Sequence, residues 1–392
     1  MQNKRDIAAR LCLIFCAVLI AALTWRWQRI FYLECADYII SDMPAHVRLA
    51  LGHSDYGLSS LIIRALWALG GEHFGQTALS LILTANQLFG VFTVWLLLRR
   101  MFPETDGRFS LLAALLAHLC GPWILPGQTQ MYLGVFNGNI YHNMTVLFSR
   151  SFIPLDLLLF FRLWDRRRET LRPGDWLGLA LCLLVTTLFK PSFLGAFAPA
   201  VFALLVWDFC RTRAKGFKNE FFIGLAFIPS LLALVWSSLV LFADDFAGTS
   251  SGVALRSLTL PMLGAALVMY LRGLLLPLWS FSLQGRRETA QRAHLGIFAF
   301  VLGVAILEAL LLTETGYRAN DGNFDWGGLA MYPTLFALAI ALLWRMLPAG
   351  EKPGRRAWLP FLVGAVLLLG HLVIGVYCLH RPGHAGYDWF YF

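Results

Sequence analysis

Apolar segments long enough to cross a bilayer recur from one end of this chain to the other, at roughly 11–33, 76–98, 109–125, 145–163, 175–190, 193–209, 220–242, 258–282, 295–313, 327–346 and 358–379. A helix of about 20 apolar residues spans the hydrocarbon core. Of the 392 residues, 58% are hydrophobic and only 14% charged, too few to cover a water-soluble core of that size. Within lipid every backbone N–H and C=O must find its partner inside the protein, and segments of this length do so as helices. The expected fold is therefore all-α: a polytopic transmembrane protein of about eleven spans, with residues 1–392 forming a single membrane domain. The first span is long and is not followed by a small-residue cleavage site, so it reads as a retained span.

The basic residues set the expected orientation. Most of the 32 Lys and Arg fall in short clusters between spans: Lys4/Arg5/Arg10, Arg99/Arg100/Arg108, Arg162/Arg166/Arg167/Arg168/Arg172, Arg211/Arg213/Lys215/Lys218, Arg286/Arg287/Arg292 and Arg345/Lys352/Arg355/Arg356. Such clusters mark the cytoplasmic side, which puts the N-terminus inside and the C-terminus outside. The net charge of +9 is a topology signal and argues against nucleic-acid binding, because it is divided among short loops. The seven cysteines show no metal-ligand spacing; Cys35 and Cys378 alone fall near the outer face.

The longer non-spanning stretches, 34–75, 126–144, 243–257, 314–326 and the tail after His380, then lie outside. In the first, Met43 to Leu51 has helical spacing with Pro44 in the first turn and Asp42 placed as N-cap. Leu58 to Leu69 is a second apolar stretch, too short to span and ended by Gly70-Gly71. Both read as helices lying in the membrane interface. Asp37, Asp42 and His46 are the leading chemical candidates. Asp42 and His46 stand one helical turn apart, a spacing that suits a general base with its partner or two ligands of a divalent cation such as Mg or Mn.

Three further polar surfaces fall on the same side. The run Asn137-Gly-Asn139-Ile-Tyr-His142-Asn143, followed by Arg150, offers amides, an imidazole and a guanidinium suited to a phosphate. Asn and Gly are equally at home in turns for backbone reasons alone, and both readings stay open. Lys190, in Phe189-Lys190-Pro191-Ser192-Phe193, sits between two short spans, where an ammonium needs a partner or an anionic ligand. The stretch Glu314 to Gly327 carries Arg318, Asn323 and Asp325 with two aromatic platforms, a composition that fits sugar or phosphate, although not the EF-hand ladder. Asp156 and Glu308, inside spans, read as structural pairing groups.

The combination of many spans, an internal N-terminus, interfacial helices in the first outer loop and Asp37-x-x-x-x-Asp42 directly after the first span resembles the GT-C glycosyltransferase superfamily. The pattern S-D-M-P-x-H, with later K-P-S-F and G-N-F-D-W-G, is similar to bacterial members of it. The resemblance implies an enzyme of the bacterial cytoplasmic membrane. Such an enzyme moves a hexosyl or pentosyl unit from a polyprenyl-phosphate carrier to a glycan or lipid acceptor on the extracytoplasmic face, with inversion. By that resemblance Asp42 or Asp37 matches the catalytic acid of the first outer loop. His46, Asn139, His142, Asn143, Arg150, Lys190, Arg318, Asn323 and Asp325 are the expected substrate-binding residues. No large soluble C-terminal domain follows, so the membrane domain itself would recognise the acceptor. Two alternatives are a surface-polysaccharide polymerase or ligase, whose long outer loop with paired arginines is missing, and a lipid-linked-sugar flippase. The flippase should carry ionisable groups deep in several spans and two related halves.

Overall fold

A computed structural model describes residues 7, 10–22, 25, 43–52, 57–123, 132–133, 136–137, 143–241, 252–283, 289–316, 323–348 and 354–380. The elements run α1 (Arg10–Ala22), α2 (Met43–Leu51), α3 (Leu58–Met101), α4 (Gly107–Leu119), β1 (Tyr132–Leu133), β2 (Phe136–Asn137), α5 (Met144–Asp165), α6 (Pro173–Phe189) and α7 (Ser192–Thr212). They continue as α8 (Phe217–Leu225), α9 (Ile228–Leu241), β3 (Val253–Leu255), α10 (Leu260–Ser282), α11 (Thr289–Leu311), β4 (Leu312–Glu314), α12 (Trp326–Ala330), α13 (Tyr332–Trp344) and α14 (Arg355–His380).

Among the described residues seven helices are long and apolar enough to cross a membrane, and four shorter apolar helices accompany them: α1, α4, α6 and α13. The protein is thus a mainly helical membrane protein. Its starts are locally encoded. The Asp106 carboxylate accepts from the N–H of Arg108 to cap α4, the Asn143 amide caps α5, and Thr259 caps α10, while Pro173 opens α6 where its missing N–H costs nothing. The apolar stretch at 220–242 is split by a turn at Ala226 and Phe227 just before Pro229, and the one at 327–346 by Met331 just before Pro333.

Helix α3 is continuous in hydrogen bonding yet broken in dihedral angle. Gly70 (φ −156°, ψ 17°) and Gly71 (φ 73°, ψ −166°) separate an arm at 58–69 from the long apolar part that follows. Only glycine adopts the Gly71 conformation without strain, which is how a two-residue signal divides one helix into two.

Helix α5 is the most deeply buried of the long described helices, whereas α14 is peripheral. The core is aromatic around α5: Phe160 meets Phe197 edge-on with centroids 5.4 Å apart, and Phe193 stacks on Phe197 at 4.9 Å. On α14, Val366, Leu369 and Val373 form an exposed apolar stripe at helical spacing, as lipid contact requires. Packing rather than water exclusion holds helices together in lipid, and small residues and polar bridges accordingly sit at the interfaces. Between α3 and α5 the Asn86 amide donates to Leu147 O (2.6 Å), the Ser151 hydroxyl to Asn86 O (2.9 Å) and the Thr93 hydroxyl to Ser151 O (2.7 Å).

The tightest helix approach is between the end of α4 and α14. A Cβ on Gly375 would stand 2.0 Å from Leu119 O and 2.5 Å from the Gly121 nitrogen. His371 bridges the same place: its Nδ1 lies 2.7 Å from Gly121 O, and its backbone oxygen accepts from Gly121 N at 2.9 Å. Gly375→Leu should therefore lower the thermal unfolding midpoint clearly, by the equivalent of about 3 kcal/mol or more, since backbone atoms cannot yield as side chains do. Gly264→Leu, a site with open space around it, is the control and should leave the midpoint within error.

One end of the bundle is laced by ion pairs. Arg100 and His294 meet Asp165 at 2.6 and 2.7 Å, Arg167 meets Asp208 at 2.8 Å, Arg168 meets both Asp208 and Glu220, and Arg345 meets Glu104 at 2.9 Å. These close the ends of α3, α5, α7 and α13 and the starts of α4, α8 and α11. The opposite end carries strands that the all-α expectation did not include. β1 pairs with β2, and β3 with β4, both antiparallel. The second pair joins two stretches read separately in the sequence: Arg256 N donates to Leu311 O (2.7 Å) and Thr315 N to Gly252 O (2.8 Å). Backbone groups beyond the ends of α11 and before α10 satisfy one another this way, in runs of three residues with no pattern a sequence reading could catch.

Candidate functional site

Four of the polar segments converge on the end opposite the ion pairs. Met43, the first residue of α2, shares one buried cluster with Ile63 and Leu83 of α3, Met144 and Phe148 of α5 and Phe189 of α6. Phe189 stacks between two rings of α5, Phe148 at 4.7 Å and Phe152 at 5.9 Å. The apolar anchors carry chemistry on their chain neighbours: Asp42 precedes Met43, Asn143 precedes Met144, and Lys190 follows Phe189. The β1–β2 pair packs against α10, and β2 against α12 as well, which brings the second outer segment to the same end.

Lys190 is held at the break between α6 and α7. Its N–H caps α6 by donating to Thr186 O at 3.0 Å, and Pro191 follows. Its ammonium donates to Asn323 Oδ1 at 3.3 Å and lies 5.4 Å from the Trp326 ring centre, in cation–π range. Asn323 in turn donates from Nδ2 to Glu314 Oε2 at 2.7 Å. A lysine can only donate and a carboxylate only accept, so the amide has one orientation that serves both. Gly327 makes the approach of α12 possible: a Cβ there would stand 2.8 Å from Ser192 O at the start of α7.

Asp325 is in the same turn, at the N-cap position of α12, and does not cap that helix. Burial pushes its carboxyl up to about 6, against the opposing pull of the Arg256 guanidinium, so it gains its proton as the pH falls through that value. Tyr270 of α10 also feels its charge.

Arg150 is buried within α5, 8% exposed, and donates from Nη2 to Gln87 Oε1 at 3.0 Å. The guanidinium faces the α3–α5 seam, near enough to His118 of α4 for the two to interact. Asn143 accepts from Thr145 N (3.0 Å), Val146 N (3.3 Å) and the Thr145 hydroxyl (2.6 Å), so its side-chain oxygen serves as the α5 cap. His46 is half-buried on α2. Asp37, Asp42, Asn139, His142 and Arg318 lie outside the described residues. Among the described residues no three His, Cys, Asp or Glu side chains gather as metal ligands would.

The structure thus joins Lys190 and Asn323, sets Asp325 in the same turn, and places Arg150 apart, against Gln87 of α3. It also adds residues the sequence did not single out. Glu314 holds Asn323, and Gln87 holds Arg150; the Arg256 guanidinium is near enough for its charge to act on Asp325. Gln87 and Tyr270 carry polar groups inside apolar spans, and that was the signal available for them. Asp156, in α5, accepts from the Thr186 hydroxyl at 2.6 Å, in keeping with a structural role.

No family model matches the chain, and no curated protein or solved structure is significantly similar to it.

Proposed function

We propose that this protein is a membrane glycosyltransferase that moves a sugar from a polyprenyl-phosphate carrier to a glycan or lipid acceptor. The observation that carries the proposal is the Lys190–Asn323 contact. Two polar residues 133 positions apart meet at the end of the bundle away from the ion-paired basic clusters, with a tryptophan face beneath the ammonium. Polar groups gathered at one membrane surface, rather than deep in several helices, favour interfacial chemistry over translocation.

In this reading the seven long and four shorter apolar helices make eleven crossings, the basic end faces the cytoplasm with the N-terminus, and the polar end is extracytoplasmic. The helices α2 and 58–69 lie along the outer interface. The enzyme belongs to the cytoplasmic membrane of a bacterium and resembles the GT-C superfamily. Asp42, with Asp37 nearby in sequence and His46 one turn on, removes the proton from an acceptor hydroxyl. That oxygen attacks the anomeric carbon from the face opposite the phosphate, and the carbon–oxygen bond to phosphate breaks with its electron pair staying on the departing group. Lys190 stabilises the phosphate as it leaves. Arg318 extends this cationic surface, Asn139 and His142 hold substrate hydroxyls, and a divalent cation at Asp42 and His46 fits the same chemistry.

The test is deletion of the gene in its host, followed by structural analysis of the envelope glycan. Loss of one sugar branch, restored by wild-type protein, is expected. Loss of chain length with every branch intact would assign a polymerase instead, and an unchanged glycan would remove the proposal.

A further inference from the structure

Where α5 ends and α6 begins, at the ion-paired end of the bundle, a partly open cavity of about 80 Å³ is lined by Leu159, Arg162, Leu163, Arg166, Gly174 and Asp175. That is several times the room one water needs. Two of the lining charges are already matched: the Asp175 carboxylate accepts from Arg166 Nη1 at 3.2 Å and from the Arg172 N–H at 2.9 Å, and Arg166 Nε reaches Glu169 at 3.2 Å. The third is not. Arg162 is exposed, and among the described residues its guanidinium makes no hydrogen bond or ion pair. Apolar groups adjoin it. Leu159 and Leu163 line the same cavity, and one turn along α6 the two helices meet, where a Cβ on Gly178 would stand 3.9 Å from Leu159 Cδ2. From Gly174 the same face of α6 continues through Leu177 and Leu181, which are 43% and 64% exposed.

A guanidinium only donates, and its planar fork matches two oxygens of a phosphate. Beside leucines at the mouth of a span, such a donor suits a phosphate that carries an apolar chain better than a soluble one. We propose that this cavity is a phospholipid site, in which Arg162 holds the lipid phosphate and an acyl chain lies along Leu177 and Leu181 of α6. Basic pockets between membrane helices bind lipid headgroups in this way. Arg166 has a supporting part: by pairing with Asp175 it matches the one carboxylate in the lining that would otherwise repel a phosphate. The site lies at the end of the bundle away from Lys190 and stands whether or not the protein transfers a sugar.

The experiment titrates three probes into the full-length protein in detergent and reads binding by native mass spectrometry. The probes are dioleoylphosphatidylglycerol, dioleoylglycerol with the same chains and no phosphate, and glycerol phosphate with no chains. Wild-type protein should bind the phospholipid, and Arg162→Ala should bind it about tenfold more weakly, a loss of about 1.4 kcal/mol. Dioleoylglycerol should not distinguish the two proteins. Arg213→Ala is the control, because Arg213 is an exposed arginine at the same end that does not line the cavity, and it should bind the phospholipid as wild type does. Thermal unfolding first shows each variant to be folded. Equal phospholipid binding by wild type and Arg162→Ala overturns the proposal, as does an equal loss in Arg213→Ala, which would reduce the effect to surface charge. Glycerol phosphate bound as tightly as the phospholipid, and lost in Arg162→Ala, would overturn the lipid assignment and give the cavity to a soluble phosphate.

Discussion

Asp42→Asn should leave the protein folded and inserted yet reduce sugar transfer by roughly 10²- to 10⁴-fold, the contribution of a positioned general base. The substitution keeps size and hydrogen-bonding reach while removing the ability to take a proton. An asparagine also serves well as an N-cap, so α2 should persist and its stability should hardly change. That separates chemistry from folding. The start of α2 is anchored: Met43 is fully buried in the cluster that contains Met144 of α5 and Phe189 of α6. Transfer assayed in isolated membranes, normalised to protein by immunoblot, checks the expectation. Asp37→Asn in the same assay tells whether one carboxylate or two are required. Full activity in Asp42→Asn would transfer the base to another group.

The second large effect belongs to Lys190. If Lys190 holds the departing phosphate as proposed, Lys190→Ala should lower transfer by roughly 10²- to 10³-fold, because a positioned ammonium stabilises the charge that develops on the leaving group. Lys190→Arg should recover only part of this, since the broader guanidinium cannot keep the Asn323 contact and the Trp326 face in the same geometry. Asn323→Ala removes a positioning group and leaves the cation in place, so a smaller loss is expected, about five- to tenfold, and smaller than that of Lys190→Ala in the same preparation. Equal activity of Lys190→Ala and wild type would show that the phosphate is held elsewhere, with Arg150 the next residue to substitute.

Much of the helical framework was legible because each device is local. Pro173, Asp106, Asn143 and Thr259 start helices through their own neighbours, and Gly70-Gly71 ends an arm because Gly71 occupies a region of backbone space that side chains disfavour. The turns before Pro229 and Pro333 divide helices inside apolar runs that look continuous, since apolar composition alone does not report where a hydrogen-bond ladder is interrupted. Lys190, Asn323 and Asp325 were visible as polar residues at the mouths of apolar runs. Their grouping was not, because the contact spans 133 positions and each turn looks alike from within. Asn143 shows the converse. The same amide that suits a ligand also suits a helix start, and only the bonds to Thr145 and Val146 decide between them.

By itself, then, the sequence determined that this is a helical membrane protein, for apolar runs of that length have no other way to satisfy their backbone in lipid. Tertiary structure decided which of its polar residues share a site. Helix packing brings the α6–α7 break against the turn before α12, and the β3–β4 pair carries Arg256 and Glu314 to the same end. Those are contacts between surfaces far apart in the chain, set by the fit of small and aromatic side chains across helices, and no local pattern encodes them.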